Sequence, residues 1–86
     1  MKYTVVWEEA AEANLASFWL DAPIGRQAKI QEAVDLVEVA LRRQPHDIGE
    51  SRGDGTRLAI QTPVALSFEV LDDERMVRVL SIHLFG

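Results

Sequence analysis

The residues of this chain best suited to recognition chemistry lie in its C-terminal half. In the stretch TRLAIQT, alternation turns Arg57, Ala59 and Gln61 one way and Leu58 and Ile60 the other. In Val64–Leu71 it sets Ala65, Ser67 and Glu69 opposite Val64, Leu66, Phe68 and Val70. If the larger apolar side chains face a core, Arg57, Gln61, Ser67 and Glu69 share an outer face. Glu50-Ser51-Arg52 precedes them in a glycine-rich stretch, where Arg52 and nearby glycine amides could clamp an anion. Such a surface suits an RNA phosphate or a partner's carboxylate. The plainer reading pairs Arg57 with Glu69 across neighbouring strands and bridges Arg52 to Glu50 or Asp54. Exposed pairs of that kind contribute little stability.

Other chemistries find less support. Histidine is the residue type best suited to act as a general base, but neither His46 nor His83 has an obvious partner in the sequence, so a structural or solvent-exposed role is the simpler account. No H-x-x-x-H spacing occurs and cysteine is absent, so no metal site, thiolate chemistry or disulfide is expected. There is no phosphate-binding glycine loop, and no cofactor is expected. The net charge of −5 runs against a protein whose main ligand is nucleic acid, because phosphate neutralisation supplies most of such affinity. No stretch approaches the ~20 apolar residues that span a bilayer. The opening MKYTVVW lacks the apolar run and cleavage site of a signal peptide, so a cytoplasmic location is expected.

Positioning these residues requires a small α+β fold. At 86 residues one domain covering residues 1–86 is expected. Residues 3–7 alternate β-branched and aromatic types and read as a strand. Glu8 and Glu9 open a helix whose Ala11, Leu15, Phe18 and Trp19 recur at helical spacing and should face the sheet. Pro23 and Gly25 separate it from a second helix, from about Arg26 to Arg43, with a stripe of Ile30, Val34, Val37 and Leu41. Residues 45–55 read as a loop, and three strands follow, over residues 56–62, 64–71 and 75–85, with Asp72-Asp73-Glu74 as a charged turn. The order is β-α-α-β-β-β, a helical hairpin on one face of an antiparallel-rich sheet. Val5, Trp7, Leu15, Phe18, Leu58, Ile60, Leu66, Phe68 and Leu80 join the stripe of the second helix in the expected core.

The opening YTVVWEEAAEANLASFW and the closing TRLAIQTPVALSFEVLDDERMVRVLSIHLF resemble the RelE/ParE superfamily of type II toxin–antitoxin systems, which includes plasmid-stabilisation proteins. The resemblance covers essentially the whole chain. It implies a toxin that binds a cognate antitoxin. The cellular target would be the ribosome and its mRNA, as in the cleaving members, or DNA gyrase, as in the ParE type, and a homodimer is a further partner state. The cleaving members place basic residues and an aromatic or hydroxyl group on the open sheet face and work without a metal. This chain has Val64-Ala65 where the family commonly has Tyr-Arg, and His83-Leu84-Phe85 where the nucleases carry basic residues. Arg57 alone keeps a family basic position. The expectation is therefore a binding protein with ribonuclease activity disfavoured. The alternatives are a ribosome-dependent mRNA endonuclease and a non-toxic, catalytically silent interaction module.

Overall fold

The structure is a computed structural model that describes residues 2–85. Alternation makes strand β1 (Thr4–Trp7). Helix α1 (Glu9–Asp21) starts where alternation stops, with Glu9 and Glu12 in the first turn, where the helix dipole favours carboxylates. Pro23 cannot continue it and instead stands as the N-cap of α2 (Ile24–Arg43). Arg42 and Arg43 occupy the last turn of α2, and a 3-10 turn at Pro45–Asp47 follows. Strands β2 (Glu50–Ser51), β3 (Arg57–Gln61), β4 (Val64–Leu71) and β5 (Met76–Leu84) complete the chain. The β4–β5 connection is a 3-10 turn, Asp72–Glu74, closed by Arg75 in the left-handed region at φ 52°.

The strands form one sheet in the order β1-β5-β4-β3-β2. β2, β3, β4 and β5 pair antiparallel, while β1 joins β5 in parallel, with Thr4 opposite Met76 and Trp7 opposite Val79. The sheet is therefore mixed, and the two chain ends meet in its β1–β5 pair. Ile30, Val34, Val37 and Leu41 of α2 and Ala11 of α1 pack with Val64, Leu66 and Phe68 of β4 and Val77, Val79 and Ile82 of β5. All of these are buried. α1 packs chiefly against β5, and α2 lies across β1, β4 and β3.

One sequence expectation is inverted. Ala59 lies opposite Leu66, Arg57 opposite Phe68 and Gln61 opposite Val64, so these three turn to the helix side. Leu58 and Ile60, opposite Ser67 and Ala65, turn to the open face. Ala59 is 3% exposed and Ile60 63% exposed. The side-chain period is two, so a single-residue shift swaps the faces. The small Ala59 side chain leaves room for α2 where it crosses β3, at a point where Leu58 or Ile60 would crowd it. Arg57 and Gln61 therefore do not belong to the open face, and Ile60 does not belong to the core.

Smaller corrections follow from packing. Trp19 does not face the sheet and is 39% exposed. Val5, Trp7, Leu15, Phe18 and Leu58 are half-buried at the margins. Leu80 is half-buried because the ladder slips there: Ser67 pairs with Ser81 and Phe68 with Val79, leaving Leu80 as a bulge. Residues 45–55 are not all loop, since they contain β2.

Candidate functional site

The open face of the sheet is built from the odd-numbered residues of β4 and their partners. Leu58 and Ile60 of β3 flank Ala65 and Ser67; beyond β4 come Ser81, His83 and Arg78 of β5. Arg78 is half-buried at the centre of this face. Its Nη1 donates to Glu69 Oε1 at 3.2 Å, and its Nε lies 3.6 Å from Glu8 Oε1. The one strand arginine on the face is thus bracketed by two carboxylates. Beside it one of the Ser67 and Ser81 hydroxyls donates to the other across the β4–β5 pair. His83, opposite Ala65, is exposed.

This arrangement has little capacity to stabilise a phosphoryl transition state. Such stabilisation needs donors or cations aimed at developing negative charge. Here the guanidinium already serves two glutamates, which would themselves repel a phosphate. Arg78 is not among the residues expected at the site, although a lone arginine between Val77 and Val79 marks a strand position turned away from the core.

The predicted site residues separate. Ser67 and Glu69 stay on the open face, joined at its β2 margin by exposed Glu50, which lies opposite Leu58. Arg57 is spent on the backbone. Its Nε donates to the Ile48 carbonyl at 3.0 Å and its Nη2 to the Gly49 carbonyl at 3.1 Å. It closes the β2–β3 hairpin and makes no bridge to Glu69. Gln61 is exposed beside α2, near Lys29 and Glu32. Arg52 stands exposed in the hairpin loop, where Thr56 N–H and Oγ1–H both donate to Asp54. These two bonds, with the Arg52 charge adding a smaller pull, hold the Asp54 carboxyl below its ordinary range. Gly49 is required in this hairpin. It sits at φ 70°, and a Cβ there would collide with the Leu58 carbonyl oxygen.

A second polar cluster lies at the end of the sheet. Tyr3 O–H donates to Asp72 Oδ1 at 2.8 Å, and His46 Nε2 lies 2.7 Å from the same oxygen. The Arg75 guanidinium sits 5.6 Å from the Tyr3 ring centroid. The His46 and Tyr3 hydrogen bonds hold the Asp72 carboxyl low, and the bond to Asp72 pushes the Tyr3 hydroxyl up. A phenol made less acidic is a poor proton donor, so the cluster reads as a clasp joining the β4–β5 turn, β1 and the 3-10 turn after α2. No local signal could reveal it, because Tyr3 and Asp72 are 69 positions apart. No group of three or more metal-ligating side chains occurs among the described residues. None of the described helices is long and apolar enough to cross a membrane.

No family model and no curated protein matches the sequence. The fold, however, has solved counterparts. The RelBE2 toxin–antitoxin complex from Mycobacterium tuberculosis superposes with a TM-score of 0.76 at 22% identity, covering 98% of this chain and 92% of that one. The chromosomal ParDE toxin–antitoxin system from P. aeruginosa gives 0.77 at 19% identity, covering 99% and 98%. Isolated RelE toxin from E. coli gives 0.63 at 18% identity, covering 98% and 85%. The fold is that of the RelE and ParE toxins, as the strand and helix strings imply.

Proposed function

We propose that this chain is a RelE/ParE-like toxin component of a type II toxin–antitoxin system that acts by binding, to a cognate antitoxin and to a cellular target, in the cytoplasm and as a single domain. The carrying observation is Arg78 between Glu69 and Glu8 on the open face. A toxin of this fold that cleaved mRNA would need free positive charge there, and among the described residues this face offers none beyond the paired arginine and the exposed His83. With chemistry removed, the remaining surface of Ser67, Leu58 and Ile60, edged by Glu50 and the Arg52 loop, is suited to contact with protein. The neighbours support the toxin assignment, since RelBE2 and ParDE are toxin–antitoxin assemblies.

The test is induced expression in a bacterial host, with growth and mRNA 5′ ends followed together. Growth arrest with unchanged 5′ ends is expected. New 5′ ends that vanish with Arg78→Ala would make the open face catalytic and overturn the binding reading. Unimpaired growth at high expression would replace the toxin with a silent interaction module.

A further inference from the structure

Helix α2 carries a second stripe. Its buried residues Ile30, Val34, Val37 and Leu41 are spaced by four, three and four positions. Glu32, Leu36, Val39 and Arg43 repeat that spacing two positions further on, which is about 200° around the helix. They face away from the sheet, and all four are exposed, Leu36 by 52% and Val39 by 49%. Among the described residues neither Glu32 nor Arg43 has an ion-pair partner. The outer face of α2 is thus two apolar side chains between an unpaired acid and an unpaired base. Shallow cavities flank them. One of about 310 Å³ is lined by Lys2, Val39, Arg42 and Arg43, and one of about 130 Å³ is lined in part by Lys29, Glu32 and Leu36.

We propose that this face binds a second copy of the chain through an antiparallel pair of α2 helices. The pattern is self-complementary, as a two-fold interface must be. A two-fold axis passing the helix between Val37 and Glu38 sets Leu36 opposite Val39 of the second copy, and Glu32 opposite Arg43. Each contact occurs twice. The alternating steps of three and four residues are those of a coiled-coil seam, which keeps the stripe turned toward its partner along the helix. Glu32 of one copy enters the cavity lined by Lys2, Arg42 and Arg43 of the other. Lys29 comes to the C-terminal end of the other helix, where the dipole favours a cation. The net charge of −5 on each copy opposes the pairing at long range, and physiological salt screens that repulsion beyond about 8 Å. One helix from each copy makes a small interface, so the dimer is weak and concentration-dependent. The pairing is independent of the toxin reading, since neither antitoxin nor cellular target enters it.

Sedimentation equilibrium of the purified protein, loaded at up to about 0.5 mM, reads the association, and a monomer–dimer equilibrium is expected. Glu32→Arg and Arg43→Glu each change one exposed residue, so both variants should fold, and far-ultraviolet circular dichroism checks that they do. Each variant alone sets like charges opposite each other twice, and its dissociation constant should rise at least about tenfold. Mixed in equal amounts, the two variants should associate again, because every contact between positions 32 and 43 in the mixed dimer joins opposite charges. A wild-type chain that stays monomeric over this range would overturn the inference and leave the face to solvent or to an unrelated protein. Single variants that associate as wild type does would overturn it too, since the dimer would then use another surface. So would a mixture that remains as monomeric as its two components.

Discussion

At the scale of single residues, two arginines show how position decides the role of a charge. Arg57 satisfies the carbonyls of Ile48 and Gly49, whereas Arg52 is exposed with a loop aspartate nearby. Arg57→Ala should destabilise by about 1–2 kcal/mol, because two hydrogen bonds to the hairpin backbone are lost. Arg52→Ala should stay within about 0.5 kcal/mol. Urea denaturation of both variants checks this, and equal midpoints would show that the Arg57 bonds contribute nothing. Asp72 gives a pH prediction. Its folded pKa is depressed, so the unfolded chain binds the proton more readily. The carboxyl therefore contributes stability above its unfolded value of about 4, and that contribution is lost as pH falls through the lower folded value. Asp54 acts with the same sign, so the comparison must be between wild type and Asp72→Asn. The variant should show a flatter acid limb in thermal melts between about pH 5 and pH 2; parallel limbs would remove the clasp from the account.

At the scale of elements, β3 and β4 depend on the packing of opposite faces. Phe68 is fully buried at the centre of β4 and truncation to alanine should cost ~3–5 kcal/mol. On β3 the pair Ala59 and Ile60 tests the register directly. Ala59→Asp should prevent folding, because it places a carboxylate without a partner in the core. Ile60→Asp should leave the thermal midpoint nearly unchanged and improve solubility, because the side chain is already in water. Circular dichroism melts of the two proteins decide the matter; the reverse pattern would restore the alternation expected from sequence. Gly49→Ala belongs to the same scale, since the added methyl meets the Leu58 carbonyl and the β2–β3 hairpin must shift to admit it.

For the whole molecule, the sheet places its most protected strands in the middle. β5 and β4 are flanked on both sides, β5 by β1 and β4, and β4 by β5 and β3. Their central amides should exchange only on global unfolding, while β2 and the loop at residues 52–56 should exchange through local opening. Native-state hydrogen exchange in increasing denaturant should resolve these two classes, and a single class would mean that the β2–β3 hairpin opens only with the whole sheet. The parallel β1–β5 pair joins the first strand to the last, so β1 reports on completion of the fold.

The amino-acid order alone determined the elements other than the short β2, because the signals for them are local. Period-two alternation marks β1 and β4, the Ile30–Val34–Val37–Leu41 stripe marks α2, and Pro23 and Pro45 mark the ends of the helices. The same strings carried the resemblance to the RelE/ParE fold. Which face of β3 is inside was decided by tertiary packing. Both faces of that strand carry apolar residues, and the helix crossing above favours the smaller one. The candidate site was divided by the same inversion. Ser67 and Glu69 remained outside as expected, whereas Arg57 and Gln61 turned with Ala59. Arg78 gained its two carboxylates from positions 8 and 69, and Asp72 its partners from positions 3 and 46. Contacts between residues so far apart leave no local period or spacing, and only the closed sheet brings them together.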